Sequence, residues 1–184
     1  MKRIMYVVVA VALLMTTHIS LACVGKTIHL GISSANERLM AEMASLMISE
    51  RTGSSVKIEV YKDSRALYEA VKQGKVNVII ENTDRAQEML GKTKSAGSAG
   101  VDSIKSEYRK TFNLTWLNSF GTAPQYAPVL TADTLSNYPA LPKLLNKLAG
   151  ALPNDTYAKL LKSVESDDKT KKVAKDFLKG KKLI

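Results

Sequence analysis

The chain has 184 residues, enough for a domain with a sizeable core, and its 45 % hydrophobic and 24 % charged residues are typical of a globular protein. Its net charge of +10 favours anionic partners such as lipid head groups, but a solvated lysine-rich surface is the preferred explanation of the charge. The basic residues are not interleaved with aromatic side chains that could stack on bases, so nucleic acid is not an expected partner.

The first 22 residues have the pattern of a secretory signal peptide. Lys2 and Arg3 precede an apolar run over residues 4–15, and small residues follow at Ser20 and Ala22. The apolar run is shorter than the roughly 20 residues that a membrane-spanning helix needs. We therefore predict an exported protein, either periplasmic or anchored on the outer face of the cytoplasmic membrane.

Cys23, the single cysteine of the chain, directly follows the predicted leader. Residues 21–23 resemble the end of a bacterial lipobox, in which the Cys23 thiol would carry a diacylglycerol anchor. Ser20 and Ala22 equally suit cleavage by an ordinary signal peptidase, so lipidation of Cys23 and simple cleavage both stay open. With one cysteine, the chain cannot form an internal disulfide.

Residues 26–86 predict a β-α-β-α-β unit. Its elements are a strand at 27–30, a helix from near Glu37 to Gly53 with Asn36 as its N-cap, a strand at 56–60, a helix from Asp63 or Ser64 to Gly74, and a strand at 76–80. This order implies parallel strands with helices packed on the sheet. Ligands of such sheets bind outside the carboxyl ends of the strands, which are followed here by the turns at residues 31–38 and 81–85.

The rest of the chain is predicted to be mostly helical. Beyond a short helix at 83–90 and a Gly/Ser-rich linker at 92–100, we expect a helix at 101–110, strands at 114–117 and 127–130 with a loop between them, and helices at 132–138, 141–149, 155–164 and 169–179.

The sequence carries no motif for catalysis or metal binding. The methionines of the first long helix recur at helical spacing and are interpreted as core residues, and His29 as a structural strand residue. No Cys/His cluster, nucleophile elbow or phosphate-binding loop occurs. We therefore expect neither a metal, nor a cofactor, nor enzymatic activity.

Several segments together resemble one protein family. Residues 31–38, 69–77 and 81–85 are similar, in order, to the first strand-end turn, the E-A-L-K-S-G-type helix end and the E-Y-T-G-T-type turn of the periplasmic substrate-binding proteins of quaternary-amine ABC importers. These importers take up glycine betaine, choline and proline betaine. The similarity continues at residues 106–117 and 127–184.

The resemblance implies an α/β fold with a single lobe of the periplasmic-binding-protein type. That lobe would span residues 24–184, with a mostly parallel sheet flanked by helices and a helical C-terminal region. Family members have a second lobe between two crossover strands, and that lobe has no counterpart here. The two crossovers are expected to be fused near residues 119–129.

The resemblance also places a solute at the two strand-end turns and the fused crossover. The candidate ligand-binding residues are Ser33, Ser34, Asn36, Arg38, Asn82, Thr83, Arg85 and Tyr126. The family holds its quaternary ammonium ligand in an aromatic cage, whereas Arg38 and Arg85 beside a helix start suit an anion. The alternative is that each arginine pairs with a neighbouring acid such as Glu37 or Asp84.

The predicted function is an exported solute-binding component that binds a small polar solute, docks to an ABC permease, or does both. The solute would be a quaternary amine by resemblance, or an anion by the local arginines. The alternative is an envelope protein-interaction or homodimerisation module that has lost solute binding and exposes Phe120, Pro124 and Tyr126 to another envelope protein.

Overall fold

The computed structural model describes residues 27–92, 100–122, 124–153, 155–164 and 167–184. The strands among them are β1 (Ile28–Ile32), β2 (Val56–Val60), β3 (Val78–Asn82), β4 (Leu114–Trp116) and β5 (Tyr126–Thr131). The helices are α1 (Ala35–Thr52), α2 (Ser64–Lys72), α3 (Thr83–Met89), α4 (Val101–Phe112), α5 (Ala132–Asn137), α6 (Leu141–Gly150), α7 (Thr156–Lys162) and α8 (Asp167–Gly180). The predicted signal peptide, Cys23 and most of the predicted linker lie outside the described residues.

The strands form one mixed sheet in the order β2-β1-β3-β5-β4. β1 pairs in parallel with β2 and β3, whereas β5 pairs antiparallel with both β3 and β4. Four strands therefore run in one direction and β5 runs in the other. The predicted α/β lobe with a mostly parallel sheet is confirmed.

Helices cover both faces of the sheet because successive strand residues point to opposite sides. In β3, Val78 and Ile80 pack with α1, α6, α7 and α8, whereas Ile79 packs with α2, α3 and α4. Met40, Met43 and Met47 of α1 are fully buried in the first of these two clusters, which confirms them as core residues. The β3 side chains are apolar on both faces, as expected for a strand covered on both sides.

The start of α1 differs from the sequence prediction. Ser34, and not Asn36, is the N-cap: its backbone is extended, and its Oγ accepts a hydrogen bond from the Asn36 backbone N–H at 3.3 Å. Asn36 was the wrong choice because it already lies in the first helical turn. The other predicted caps are as expected, with Asp63 opening α2 and Gly53 ending α1 at a φ of 70°.

Within the described ranges, none of the helices has both the length and the apolar character that crossing a membrane requires.

Candidate functional site

The carboxyl ends of β1, β3 and β4 meet the start of β5 at one edge of the sheet. This edge, called the strand-end edge below, is made of residues 32–38, 82–85, 117–122 and 124–126. Asn82, the last residue of β3, lies opposite Tyr126, the first residue of β5. Thr83 holds the two segments together, since its N–H donates to the Gln125 carbonyl at 3.0 Å and its Oγ1 accepts from the Gln125 N–H at 3.2 Å. The edge thus gathers the two predicted turns and the segment that the sequence predicts to be a fused crossover.

Arg85 connects the turn that follows β1 to the turn that follows β3, and it does so from inside the protein. Its side chain is only 7 % exposed, and both of its carboxylate partners are fully buried. Nε donates to Glu81 Oε1 at 2.5 Å, one terminal nitrogen donates to Glu37 Oε1 at 2.6 Å and Ser33 Oγ at 2.7 Å, and the other donates to the Ile80 carbonyl at 2.5 Å. These partners use four of the five guanidinium N–H donors.

One guanidinium between two carboxylates leaves the group with a net charge of −1 when both acids are ionised. Burial raises the pKa of Glu37, because the desolvation of its carboxylate outweighs the attraction of Arg85. Burial works to lower the pKa of Arg85, but Glu81 and Glu37 outweigh it and raise that pKa above its ordinary value. Arg85 is therefore always charged, and the group carries an uncompensated negative charge when Glu37 and Glu81 are both ionised.

Two buried tyrosines complete this polar network. The Tyr68 hydroxyl donates to Glu81 Oε2 and lies 2.6 Å from the Tyr108 hydroxyl, which is itself 3.3 Å from Glu81 Oε2. Burial and the nearby Glu81 carboxylate raise the pKa of both tyrosines, so both hydroxyls stay protonated. The network of Ser33, Glu37, Glu81, Arg85, Tyr68 and Tyr108 thereby connects the strand-end edge to α2 and α4.

Three aromatic rings pack together on the other side of the edge. Phe120, Tyr126 and Tyr157, called the aromatic trio below, have ring centroids 5.0 to 6.0 Å apart. The Tyr157 hydroxyl donates to the Asn36 carbonyl at 2.6 Å and accepts from the Met40 N–H at 3.2 Å, which brings α7 against the first turn of α1. Tyr126 is partly exposed at this edge, whereas Tyr157 is buried.

Phe120 is buried, contrary to the expected exposed apolar surface. Its side chain is 4 % exposed, because it forms a β-bridge with Tyr126 and is covered by the Tyr157 ring. Pro124 and Tyr126 are only partly exposed.

The remaining candidate residues at the α1 start face outward. Ser34 and Asn36 are exposed, and Arg38 Nε donates to Glu42 Oε1 at 3.1 Å. Asn82 caps α3, because its Oδ1 accepts from the Arg85 N–H at 2.9 Å. Both candidate arginines therefore pair with acids, as in the alternative that the sequence left open. Neither arginine then supports an anionic solute.

Of the buried partners of these residues, the sequence pointed to Glu37 but not to Glu81 or Tyr157. Glu81 and Arg85 are four residues apart across a strand–helix junction, and Glu81 ends an apolar run, so this pair carried a local signal. Tyr157 had none, since its contact with Met40 spans 117 positions of sequence.

Two of the hollows formed by the described residues lie outside the strand-end edge or at its border. A cavity of about 410 Å³ lies at the opposite edge, where β3 and β4 begin, and Tyr68, Asn77, Phe112 and Thr131 contribute to its wall. An open depression of about 390 Å³ borders the strand-end edge, lined by Val101, Lys105, Asn118, Ser119, Gln125 and Gly150. In the part of the chain that the structure describes, no cluster of three or more His, Cys, Asp or Glu side chains could hold a metal ion.

Comparison with known proteins identifies the relatives of this fold. Residues 110–180 match the family model described as the substrate binding domain of the ABC-type glycine betaine transport system. The predicted family resemblance is confirmed. The segment that matches the glycine betaine-binding family contains the whole aromatic trio, whereas Glu37, Glu81 and Arg85 precede it.

Solved structures of the same type share the fold. A structure of a glycine betaine/carnitine/choline ABC transporter has a TM-score of 0.73 and 13 % identity, covering 86 % of this chain and 98 % of that chain. The apo structure of YehZ from Escherichia coli has a TM-score of 0.74 and 13 % identity, covering 87 % of this chain and 100 % of that chain. At this level of identity, the likeness shows the fold.

Proposed function

We propose that the chain is the exported solute-binding component of an ABC importer and that it binds a quaternary ammonium solute at the strand-end edge. The observation that carries the proposal is the aromatic trio, in which Tyr126 is partly exposed at the edge where ligands of such sheets bind. The aromatic face attracts a quaternary ammonium group through cation–π interaction.

The charge of the buried network supports a cationic head group over an anionic one. When both are ionised, Glu37 and Glu81 outnumber Arg85, and the field of this group at the edge is then negative. Most of the Arg85 donors are already taken by protein acceptors. An anion would have to compete with two buried carboxylates for the same guanidinium.

Transport and localisation follow from the same proposal. A single lobe leaves one side of a bound solute open, so affinity is expected to be low until a permease or another envelope protein covers the edge. Export would follow from the leader at residues 1–22, and Cys23 would be the attachment point if the protein is lipidated.

A thermal-shift series on the exported chain tests the proposal. Glycine betaine, choline and carnitine are each expected to raise the unfolding midpoint in a concentration-dependent way, because a ligand that binds only the native state stabilises it. Acetate and phosphate at matched ionic strength should not. The Tyr126→Leu variant should lose the response, whereas Tyr126→Phe, which keeps the ring, should retain it.

The opposite pattern would overturn the proposal. A midpoint that rises with acetate or phosphate alone would restore the anion hypothesis. A midpoint that no solute moves would favour the second candidate, an envelope interaction module without solute binding, whose contact surface could not include Phe120 because that side chain is buried.

A further inference from the structure

We propose that β2 pairs antiparallel with the β2 of a second copy of this chain, so that the two five-stranded sheets join into one across a twofold axis at Ile58. β2 is the terminal strand of the sheet and, among the described residues, pairs only with β1. An edge strand of this kind presents unpaired backbone groups to another chain.

The backbone geometry shows which residues face outward. Ser55 accepts from Ile28 N–H at 2.8 Å and Tyr61 donates to the Ile32 carbonyl at 2.8 Å, so the odd-numbered residues of this stretch direct their N–H and C=O groups to β1. Alternate residues of a strand point these groups in opposite directions. Val56, Ile58 and Val60 therefore offer theirs at the free edge.

These three residues can pair with themselves across a twofold axis. With Ile58 opposite its own copy, Val56 lies opposite Val60, and all of these are hydrogen-bonded pairs. Lys57 then lies opposite Glu59 of the second copy in a non-hydrogen-bonded pair, where cross-strand side chains are closest.

The charges select this register over its neighbours. If the second copy is shifted by two residues along β2, either Lys57 lies opposite Lys57 or Glu59 lies opposite Glu59. Like charges directly opposite each other are destabilising. A lysine on an edge strand usually opposes association. Here Glu59, two residues further on, makes the strand self-complementary in one register.

The side chains on this strand are poised for that arrangement. Lys57 is 65 % exposed and lies 3.2 Å from Glu59 Oε1. Glu59 is held in place by His29 Nδ1 at 2.9 Å and by the Tyr61 hydroxyl at 2.8 Å. Val60, an exposed large hydrophobic side chain at 67 %, would pack across the dimer axis against Val56.

The inference goes beyond the proposed function and does not depend on it. β1 and β3 separate β2 from Tyr126 and β5. Self-association at β2 and solute binding at the strand-end edge can therefore succeed or fail separately.

Sedimentation velocity of the exported chain over a concentration series tests the inference. The wild-type chain is expected to form a reversible dimer. Lys57→Glu and Glu59→Lys should each shift the chain to monomer, since each places like charges opposite one another at positions 57 and 59. An equimolar mixture of the two variants should dimerise again, because the first supplies two glutamates and the second two lysines.

The control variants Lys72→Glu and Glu69→Lys make the same charge changes on α2, where both side chains are exposed. They should leave the dimer intact. The sign of the effect of Lys57→Glu separates the two explanations. This substitution lowers the net charge of +10, so it would strengthen a dimer that is opposed only by general charge repulsion. It should weaken a dimer that depends on Lys57 lying opposite Glu59.

A wild-type chain that stays monomeric throughout the series would overturn the inference. A dimer that survives Lys57→Glu, or that weakens equally in Lys72→Glu, would overturn it as well. If Glu59→Lys loses its fold, as circular dichroism would show, then Lys57→Glu decides the question alone, because that side chain is exposed.

Discussion

Arg85 is the residue on which the strand-end edge depends most. It connects turns that are 48 positions apart in sequence through contacts with Ser33 and Glu37. A buried ion pair is weak evidence of net stabilisation, but removing one partner leaves the other charge buried and uncompensated. The main contribution of Arg85 to the fold is therefore to compensate the buried charges of two carboxylates, and not to add a net stabilising interaction.

Replacing Arg85 by Met should lower the free energy of unfolding by about 3–5 kcal/mol, measured by urea denaturation at neutral pH. Adding Glu37→Gln and Glu81→Gln to that variant should recover most of the loss, because no buried charge then remains. Arg65→Met on the exposed surface of α2 is the control, with an expected change within about 0.5 kcal/mol. An equal loss in the Arg85 single and triple variants would contradict this electrostatic account.

Glu59 provides a pH-dependent test on β2. The hydrogen bond with His29, followed by those with Tyr61 and Lys57, lowers its pKa from 4.5 to about 2. Because the folded-state pKa is below the unfolded value, the ionised carboxylate stabilises the fold above pH 4.5 and loses this effect as the pH falls towards 2. Urea unfolding should show Glu59→Gln to be less stable than the wild type at pH 6, with the difference disappearing near pH 2. A difference independent of pH would mean that the carboxylate charge is not the cause.

At the scale of the elements, Tyr157 fixes the position of α7 on α1. Its hydroxyl lies between the Asn36 carbonyl and the Met40 N–H, two groups one helical turn apart. Burial raises the pKa of Tyr157, so the hydroxyl remains a donor. The same contact places the Tyr157 ring against Phe120 and Tyr126. A residue from the C-terminal part of the chain thus packs at the strand-end edge beside the start of α1.

Tyr157→Phe should lower the free energy of unfolding by about 1–3 kcal/mol, because a buried hydrogen-bonding group loses its partner. Amide hydrogen exchange should also become faster in the first turn of α1. Tyr61→Phe removes a hydroxyl from a partly exposed ring and should cost less. Unchanged exchange at Met40 would show that the bridge does not hold the helix start.

The elements themselves could be predicted because their signals are local. Helical spacing of apolar residues, Asp63 as a cap and Gly53 as a helix end are readable in a short window, and the structure agrees with them. The α1 cap was misplaced by two residues because Ser34 and Asn36 are both good caps. The ion-pair partners of Arg85 were only partly foreseen, since Glu37 was named as a candidate and Glu81 was not.

At the scale of the whole molecule, the proposed binding surface is the strand-end edge of the sheet. The topology brings three strand ends and the start of β5 to that edge, and the family match covers the segment that supplies the aromatic trio. The sequence could place the two turns at this edge through the βαβ rule. It could not show that Tyr157 joins them or that the arginines are already paired, since both depend on contacts distant in sequence.

Amide chemical shifts of the ¹⁵N-labelled chain, titrated with glycine betaine and choline, test the site most directly. Perturbations are expected to concentrate at residues 33–36, at Asn82 and Thr83, and around Tyr126, and Tyr126→Leu should abolish them. Phosphate at the same ionic strength should leave these signals in place. Perturbations confined to the cavity wall around Asn77 and Phe112 at the opposite edge, or none with either amine, would contradict the proposed site.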